Sequence, residues 1–207
     1  MSSDKIFESF KQGERTNCSS IAFIKAALNM YGLDNLYTAQ KTADSVYAIT
    51  LKNNVSFKLK YDELDKAKFS AGFVFIKTNE DSKKIKDYAI LTYAVMAKYK
   101  QIIDKQATFD KALEDLEDGE VYTPTIYKYL GFEKDKQIQP LKRLSGSEYC
   151  GVVAWSSAHA VFVCDEYMDY YGNKKNISGK YPGRFRIINT EAPKIMEKTD
   201  NADNSNL

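Results

Sequence analysis

The feature that most constrains this chain is a nearly apolar segment that begins at a cysteine, Cys18. Residues 19–30 contain only four polar side chains, and Gly32 follows at the position of a helix stop. Thr16 and Asn17 precede the segment and belong to the residue types that favour a helix N-cap. A helix that is apolar on most sides is buried, because it has no face to offer to water. The segment therefore predicts a buried central helix with Cys18 at its N-terminal tip.

This position has a chemical consequence for the Cys18 thiol. The unpaired N–H groups and the positive end of the dipole at a helix N-terminus favour a thiolate over a thiol. The alternative is a structural role, since a free cysteine often just fills space in a core. Two other residues favour the reactive interpretation. Gln12 lies six residues before Cys18, and the only histidine of the chain, His159, lies 141 residues after it.

The order Gln12, Cys18, His159, Asn189 resembles the papain-like cysteine peptidases, and Gln-Gly six residues before the cysteine is similar to the calpain-like branch. The resemblance implies that Cys18 attacks the substrate, that His159 is the base and that Asn189 holds the imidazole. It also implies an oxyanion hole formed by the Gln12 side chain and the Cys18 backbone N–H. One departure concerns subclass and substrate: the family usually has Trp after the cysteine, whereas Ser19 stands here.

Two further assignments depend on this resemblance. The Trp that usually follows the family's asparagine is absent after Asn189, so Asp165 and Glu191 are competing candidates for orienting the imidazole. Gly119 ends a segment that resembles the calpain-like stretch in which a glycine pair meets the substrate backbone. It is a candidate substrate-binding residue, and the alternative is a plain helix C-cap.

Periodicity of apolar residues predicts the elements that surround the site. Predicted helices cover residues 81–103, 109–117 and 124–130, with a single turn at 61–66, and predicted strands cover 46–51, 55–59, 71–76, 149–155, 158–164 and 183–189. The last three strands suggest an antiparallel meander, and a turn-rich segment at 171–182 precedes the third of them. A helical first half and a β-rich second half predict an α+β fold. The papain-like resemblance implies that the buried Cys helix of the N-terminal half packs on the antiparallel C-terminal half.

Length and composition predict one soluble globular domain over residues 1–196, followed by a disordered tail at 197–207 that has almost nothing to bury. The net charge of +2 predicts neither a nucleic-acid partner nor a membrane surface as partner. No apolar run reaches the ~18 residues of a membrane span. The N-terminus lacks a signal-peptide core, which fits a cytoplasmic protein if Met1 is the natural start and a secreted one if a leader was removed.

The cysteine count bounds the redox chemistry and the metal chemistry. Three cysteines allow at most one disulfide and leave at least one thiol free. Cys150 and Cys164 lack the helix-tip setting, and we interpret both as core residues. No CxxC pair exists and there is a single histidine, so the sequence predicts no metal site and no cofactor.

The leading functional prediction is a cysteine hydrolase that cleaves a peptide or isopeptide bond of a peptide or protein substrate through a thioester. A second hypothesis keeps the same catalytic residues but has them attack a different amide or use a different acceptor, as in a glutamine deamidase, an acyltransferase or a cell-wall amidase. A third is a papain-like fold that serves as an inactive binding module. The oligomeric state stays open.

Overall fold

The computed structural model describes residues 1–42, 45–117, 123–142 and 150–190, in which helices dominate the first half and strands the second. The helices are α1 (Ser3–Phe7), α2 (Cys18–Tyr31), α3 (Tyr61–Ala71), α4 (Glu80–Ile103), α5 (Phe109–Glu117) and a 3₁₀ helix (Thr123–Leu130). The strands are β1 (Phe10–Lys11), β2 (Tyr37–Lys41), β3 (Val46–Leu51), β4 (Ser56–Lys60), β5 (Val74–Phe75), β6 (Ile138–Pro140), β7 (Val152–Trp155), β8 (Ala160–Cys164), β9 (Tyr167–Tyr170), β10 (Asn173–Asn176) and β11 (Gly183–Ile187).

The strands form three antiparallel sheets. The largest has six strands in the order β10-β9-β8-β7-β11-β6, and the others are β2-β3-β4 and the short pair β1-β5. In the large sheet β8 lies between β7 and β9, whereas β11 pairs with β7 and β6. The predicted α+β fold with antiparallel sheets is therefore confirmed.

Helix α2 lies at the centre of the molecule. It packs against β8, β7 and β11 on one side and against α4 and the 3₁₀ helix on the other, which explains why its sequence is apolar on most sides. Phe23, Ile24 and Leu28 are fully buried, and each such side chain contributes about 1.5–3 kcal/mol by leaving water. Gly32 ends the helix with φ 78°, a backbone angle that glycine adopts readily.

Several predicted elements are confirmed. The hairpin is β3 and β4, the long amphipathic helix is α4, and residues 109–117 form α5. The predicted helix at 124–130 is a 3₁₀ helix that begins one residue earlier and ends before Gly131. The last three predicted strands are β7, β8 and β11, each shorter than predicted.

Two segments differ from the prediction. Residues 61–71 form three turns of helix rather than one, because Ala67 and Ala71 are buried at helical spacing, and the strand predicted at 71–76 shrinks to β5. The segment predicted as a turn-rich connection contains β10, and β9 precedes it. All four residues of β10 are exposed and none is apolar, so this edge strand lacks the alternation that marks a half-buried strand.

The predicted end of the domain at residue 196 and the predicted tail at 197–207 lie outside the described residues. Within the described ranges, no helix combines the length and the apolar composition that a membrane span requires.

Candidate active site

The loop before Cys18 is fixed against the C-terminal end of α3. A Cβ atom on Gly13 would overlap the carbonyl oxygen of Gly72, so only glycine lets the two backbones approach this closely. The Asn17 side chain donates a hydrogen bond of 2.8 Å to the carbonyl oxygen of Ala71. Asn17 occupies the N-cap position of α2, but its amide therefore anchors the loop and does not cap the helix. These contacts set the position at which α2 begins with Cys18.

Gln12 lies at the start of the same loop, directly after β1. Its side-chain NH₂ group donates a hydrogen bond to the carbonyl oxygen of Arg15, which holds the amide in the loop. An amide NH₂ group has two hydrogens, so this contact uses half of its donor capacity. β1 is itself held by pairing with β5, so the backbone on the N-terminal side of Gln12 is also fixed.

His159 lies at the turn between β7 and β8. The backbone N–H of Ser156 donates to the His159 carbonyl oxygen at 2.9 Å, and the His159 N–H donates to Ser156 Oγ at 3.3 Å, which closes the turn. The imidazole stacks on the Tyr171 ring, with centroids 4.4 Å apart and an interplanar angle of 13°, and the edge of Tyr170 contacts it from the side. The ring plane of His159 is thus fixed by aromatic contacts.

Gln12, Cys18 and His159 line one small pocket, together with Tyr171 and Asp169. The structure therefore brings three of the four predicted catalytic side chains together, from a loop, a helix N-terminus and a strand turn. Burial lowers the pKa of His159 from its usual value, and the negative charge of Asp169 opposes that shift. Burial, and after it the charges of Cys18 and Tyr170, raises the pKa of Tyr171.

Asp169 is a site residue that the sequence analysis missed. It lies on β9, the strand beside β8, and its carboxylate accepts hydrogen bonds from Lys25 Nζ at 2.6 Å and from the Gly172 N–H at 2.8 Å. Both members of this ion pair are buried, and burial lowers the pKa of Lys25 although Asp169 acts in the opposite direction. One signal was available: Lys25 is the only charged residue of α2, and a lysine in a buried helix requires an acidic partner.

Asn189 does not orient His159 in this structure. Its side chain donates to the carbonyl oxygen of Met30, near the C-terminal end of α2, and that end lies roughly 18 Å from Cys18 at 1.5 Å per residue. The strand register agrees, because the Ile187 N–H donates to the Gly151 carbonyl at the opposite end of β7 from the His159 turn. The strand that bears Asn189 was predicted to run beside the His159 strand, but β9 lies beside β8 and β11 lies on the far side of β7.

Of the three remaining candidate site residues, the structure describes Asp165. Asp165 follows the last residue of β8, whereas His159 precedes the first, so this carboxylate lies at the wrong end of the strand. Its oxygens lie 3.3 Å from the sulfurs of Cys150 and Cys164. Glu191 and Gly119 lie outside the described residues.

Cys150 and Cys164 form a disulfide bond, the one that three cysteines allow, and both belong to the hydrophobic core or pack against it. Cys164 is fully buried and Cys150 is half-buried. All three cysteines of the chain are in the described part, and Cys18 is the one that stays a free thiol.

No family model, curated protein or solved structure matches this chain.

Proposed function

We propose that this protein is a cysteine hydrolase with a papain-like arrangement that cleaves a peptide or isopeptide bond through a thioester. One observation carries the proposal: the free thiol at the start of a buried helix shares a pocket with the chain's only histidine and with Gln12. The overall plan supports it, because a helix that begins with the cysteine packs against the strand that begins after the histidine. That is the arrangement that the papain-like resemblance implies.

The first half of the reaction forms the thioester. His159 accepts the proton of the Cys18 thiol, and the sulfur attacks the carbonyl carbon of the substrate amide. The oxyanion that forms accepts hydrogen bonds from the second N–H of the Gln12 amide and from the backbone N–H of Cys18. A first-turn N–H has no acceptor within its own helix. The C–N bond then breaks, and the imidazolium gives its proton to the departing amine.

The second half regenerates the thiol. His159 takes a proton from a water molecule, whose oxygen attacks the thioester carbonyl, and the same oxyanion contacts form again. The C–S bond breaks, the acid product leaves, and the imidazolium returns its proton to the sulfur. A deamidase uses the same steps on a side-chain amide, and an acyltransferase replaces the water with another nucleophile.

Asp169 and Tyr171 take over the role that the sequence analysis gave to Asn189. The Asp169 carboxylate favours the imidazolium that forms during each half-reaction, and its hydrogen bonds from Lys25 and from the Gly172 N–H hold it in place. The stacked Tyr171 ring fixes the plane of the imidazole. Asp169 is thus a positioning residue, because it acts through His159.

The experiment combines thiol labelling with turnover. Without reductant, iodoacetamide should modify Cys18 and leave the bonded Cys150 and Cys164 unmodified, as mass spectrometry of the peptides will show. Incubation with a proteome-derived peptide mixture, read by mass spectrometry, should yield shortened peptides with the native chain and none with Cys18→Ala. Gln12→Ala should slow this turnover by about 100- to 1000-fold, the usual effect of one oxyanion-hole donor.

A matched pair of variants tests which residue acts on the imidazole. Asp169→Asn should slow turnover and displace its pH profile, whereas Asn189→Ala should leave both unchanged. Turnover that persists in Cys18→Ala would contradict the proposal. Peptides of unchanged length in which a side-chain amide has become an acid would redirect it to a deamidase.

A further inference from the structure

A groove of about 660 Å³ opens between α3 and α5, beside the loop that leads to Cys18. This volume is in the range of pockets that hold ligands. Glu14, Arg15 and Thr16 form one wall of the groove. The loop that bears Gln12 and ends at Cys18 therefore borders both the small pocket with Cys18 and this groove. A ligand in the groove would lie next to the proposed active site without occupying it.

The charge of this groove is strongly one-sided. Its lining contains five carboxylates and two cations, the carboxylates being Glu14, Asp65, Asp110, Glu114 and Glu117. Both cations are engaged by groove carboxylates, Arg15 by Glu117 and Lys66 by Asp110. Glu114 pairs with Lys111. Glu14 and Asp65 are therefore the lining carboxylates for which the described residues supply no ion pair. The remaining lining charge is therefore negative, although the whole chain carries a net charge of +2.

The acidic side chains are presented by regular structure. On α5 the lining residues Asp110, Leu113, Glu114 and Glu117 follow the i, i+3, i+4, i+7 spacing of one helix face. The α5 backbone therefore fixes the direction in which this acidic face points.

An exposed aromatic ring gives the groove an apolar contact. The Phe69 side chain on α3 is 78% exposed, and it is the most exposed of the large apolar side chains in the described residues. The Arg15 guanidinium lies 5.4 Å from its ring centroid and covers part of the ring. Leu113, from the facing helix, adds a buried apolar surface. A ligand that fits both features has positive charges that flank an apolar side chain.

We propose that this groove binds a basic segment of the substrate polypeptide that contains an apolar residue, at a distance from the bond that is cut. The inference rests on the proposed function of the Cys18 site, and it adds a substrate class to it. Lysine or arginine side chains contact the Glu14 and Asp65 carboxylates, the two lining carboxylates that are not already paired among the described residues, and the apolar residue lies on Phe69. Such an anchor holds the substrate beside the Cys18 loop and selects cationic polypeptides over anionic ones.

The test is direct binding to the full chain with Cys18→Ala, so that no turnover disturbs the measurement. The probe is a short fluorescein-labelled peptide in which a leucine stands between two pairs of lysines, and the comparison peptide has glutamates in place of the lysines. Fluorescence anisotropy should show binding of the lysine peptide alone, and added salt should weaken it, since these are surface charges.

Charge-reversing and aromatic variants locate the binding. Glu14→Lys with Asp65→Lys should weaken the affinity by about tenfold or more, a change that corresponds to ~1.4 kcal/mol per factor of ten. Phe69→Ala should weaken it independently of salt. The matched control is Glu133→Lys, which reverses an acidic residue that lies outside the groove and pairs with Lys136.

Two outcomes would overturn the inference: equal binding of the lysine and glutamate peptides, or a loss with Glu133→Lys as large as with the groove variants. When the same groove substitutions are made in the chain that retains Cys18, iodoacetamide labelling of Cys18 should be unchanged. Failure of the groove is thereby distinguishable from failure of the catalytic proposal, which is marked by turnover that survives Cys18→Ala.

Discussion

Removal of the buried cation Lys25 provides the sharpest test of how this site is held together. The Lys25 side chain is fully buried on α2, and its Nζ lies 2.6 Å from Asp169 Oδ2, on a side chain that is only 6% exposed. In Lys25→Met the aliphatic part of the side chain is replaced at similar volume, while Asp169 keeps a buried negative charge and one hydrogen bond from Gly172.

The expected cost follows from this geometry. Breaking a buried ion pair by removing one partner typically costs ~3–5 kcal/mol, because the other charge stays buried without compensation. Since the Gly172 N–H still stabilises the carboxylate, we expect a loss near the lower end, about 3 kcal/mol. For a domain whose free energy of unfolding is about 5–15 kcal/mol, that is a large fraction. The double variant Lys25→Met with Asp169→Asn removes both charges and should be clearly more stable than Lys25→Met alone.

Urea unfolding followed by circular dichroism measures these free energies. The matched control is Lys77→Met, which breaks an ion pair with Glu8 that has the same 2.6 Å distance but is about half exposed on both sides. We expect that control to change stability by less than ~1 kcal/mol, because surface pairs contribute little. Strictly additive effects of Lys25→Met and Asp169→Asn would refute the reasoning, since uncoupled residues do not form a functional ion pair.

Two further predictions concern the loop and the imidazole. Gly13→Ala should destabilise the fold by ~1–3 kcal/mol, because the new methyl group meets the Gly72 carbonyl. The control Gly179→Ala should leave stability unchanged, because its new methyl group has no atom within 4 Å. Thermal melts of the two variants test this difference. Burial lowers the pKa of His159 in the folded state, so as pH falls the unfolded chain protonates its histidine before the folded chain does. The contribution of His159 to folding stability is therefore complete above about pH 6.5, the usual histidine pKa, and falls as pH decreases through that value. His159→Gln should flatten the pH dependence of the urea midpoint between pH 7 and pH 5 (about one unit on either side of the usual histidine pKa), and an unchanged slope would contradict the assignment.

Elements with strong periodicity were predictable from the sequence. Helix α2 has an apolar pattern on most sides, and α4 has a long amphipathic pattern, so burial alone specifies their type and approximate bounds. That Gln12, Cys18 and His159 lie together was predictable from an order along the chain that resembles the papain-like peptidases, and the structure places them in one pocket.

The third site residue was not predictable by the same means. Which strand lies beside β8 depends on sheet order, and β10 reads Asn-Lys-Lys-Asn without apolar alternation, so its hairpin with β9 was not recognised. The role of orienting the imidazole was therefore assigned to Asn189, which follows a strand on the other side of β7. Only the lone charge of Lys25 within an apolar helix indicated that a buried acid, here Asp169, had to lie nearby.

The disulfide between Cys150 and Cys164 has a consequence for the order in which this molecule assembles. It closes a ring that contains β7, the turn with His159 and β8, with a sequence separation of 14 between the bonded residues. Closing a ring of about 15 residues removes roughly 3 kcal/mol worth of conformational entropy from the unfolded chain. In the oxidised chain the β-hairpin that carries the histidine is therefore constrained before the rest of the protein folds. The cysteine helix α2, which is distant in sequence, then packs against a hairpin whose two ends are already joined.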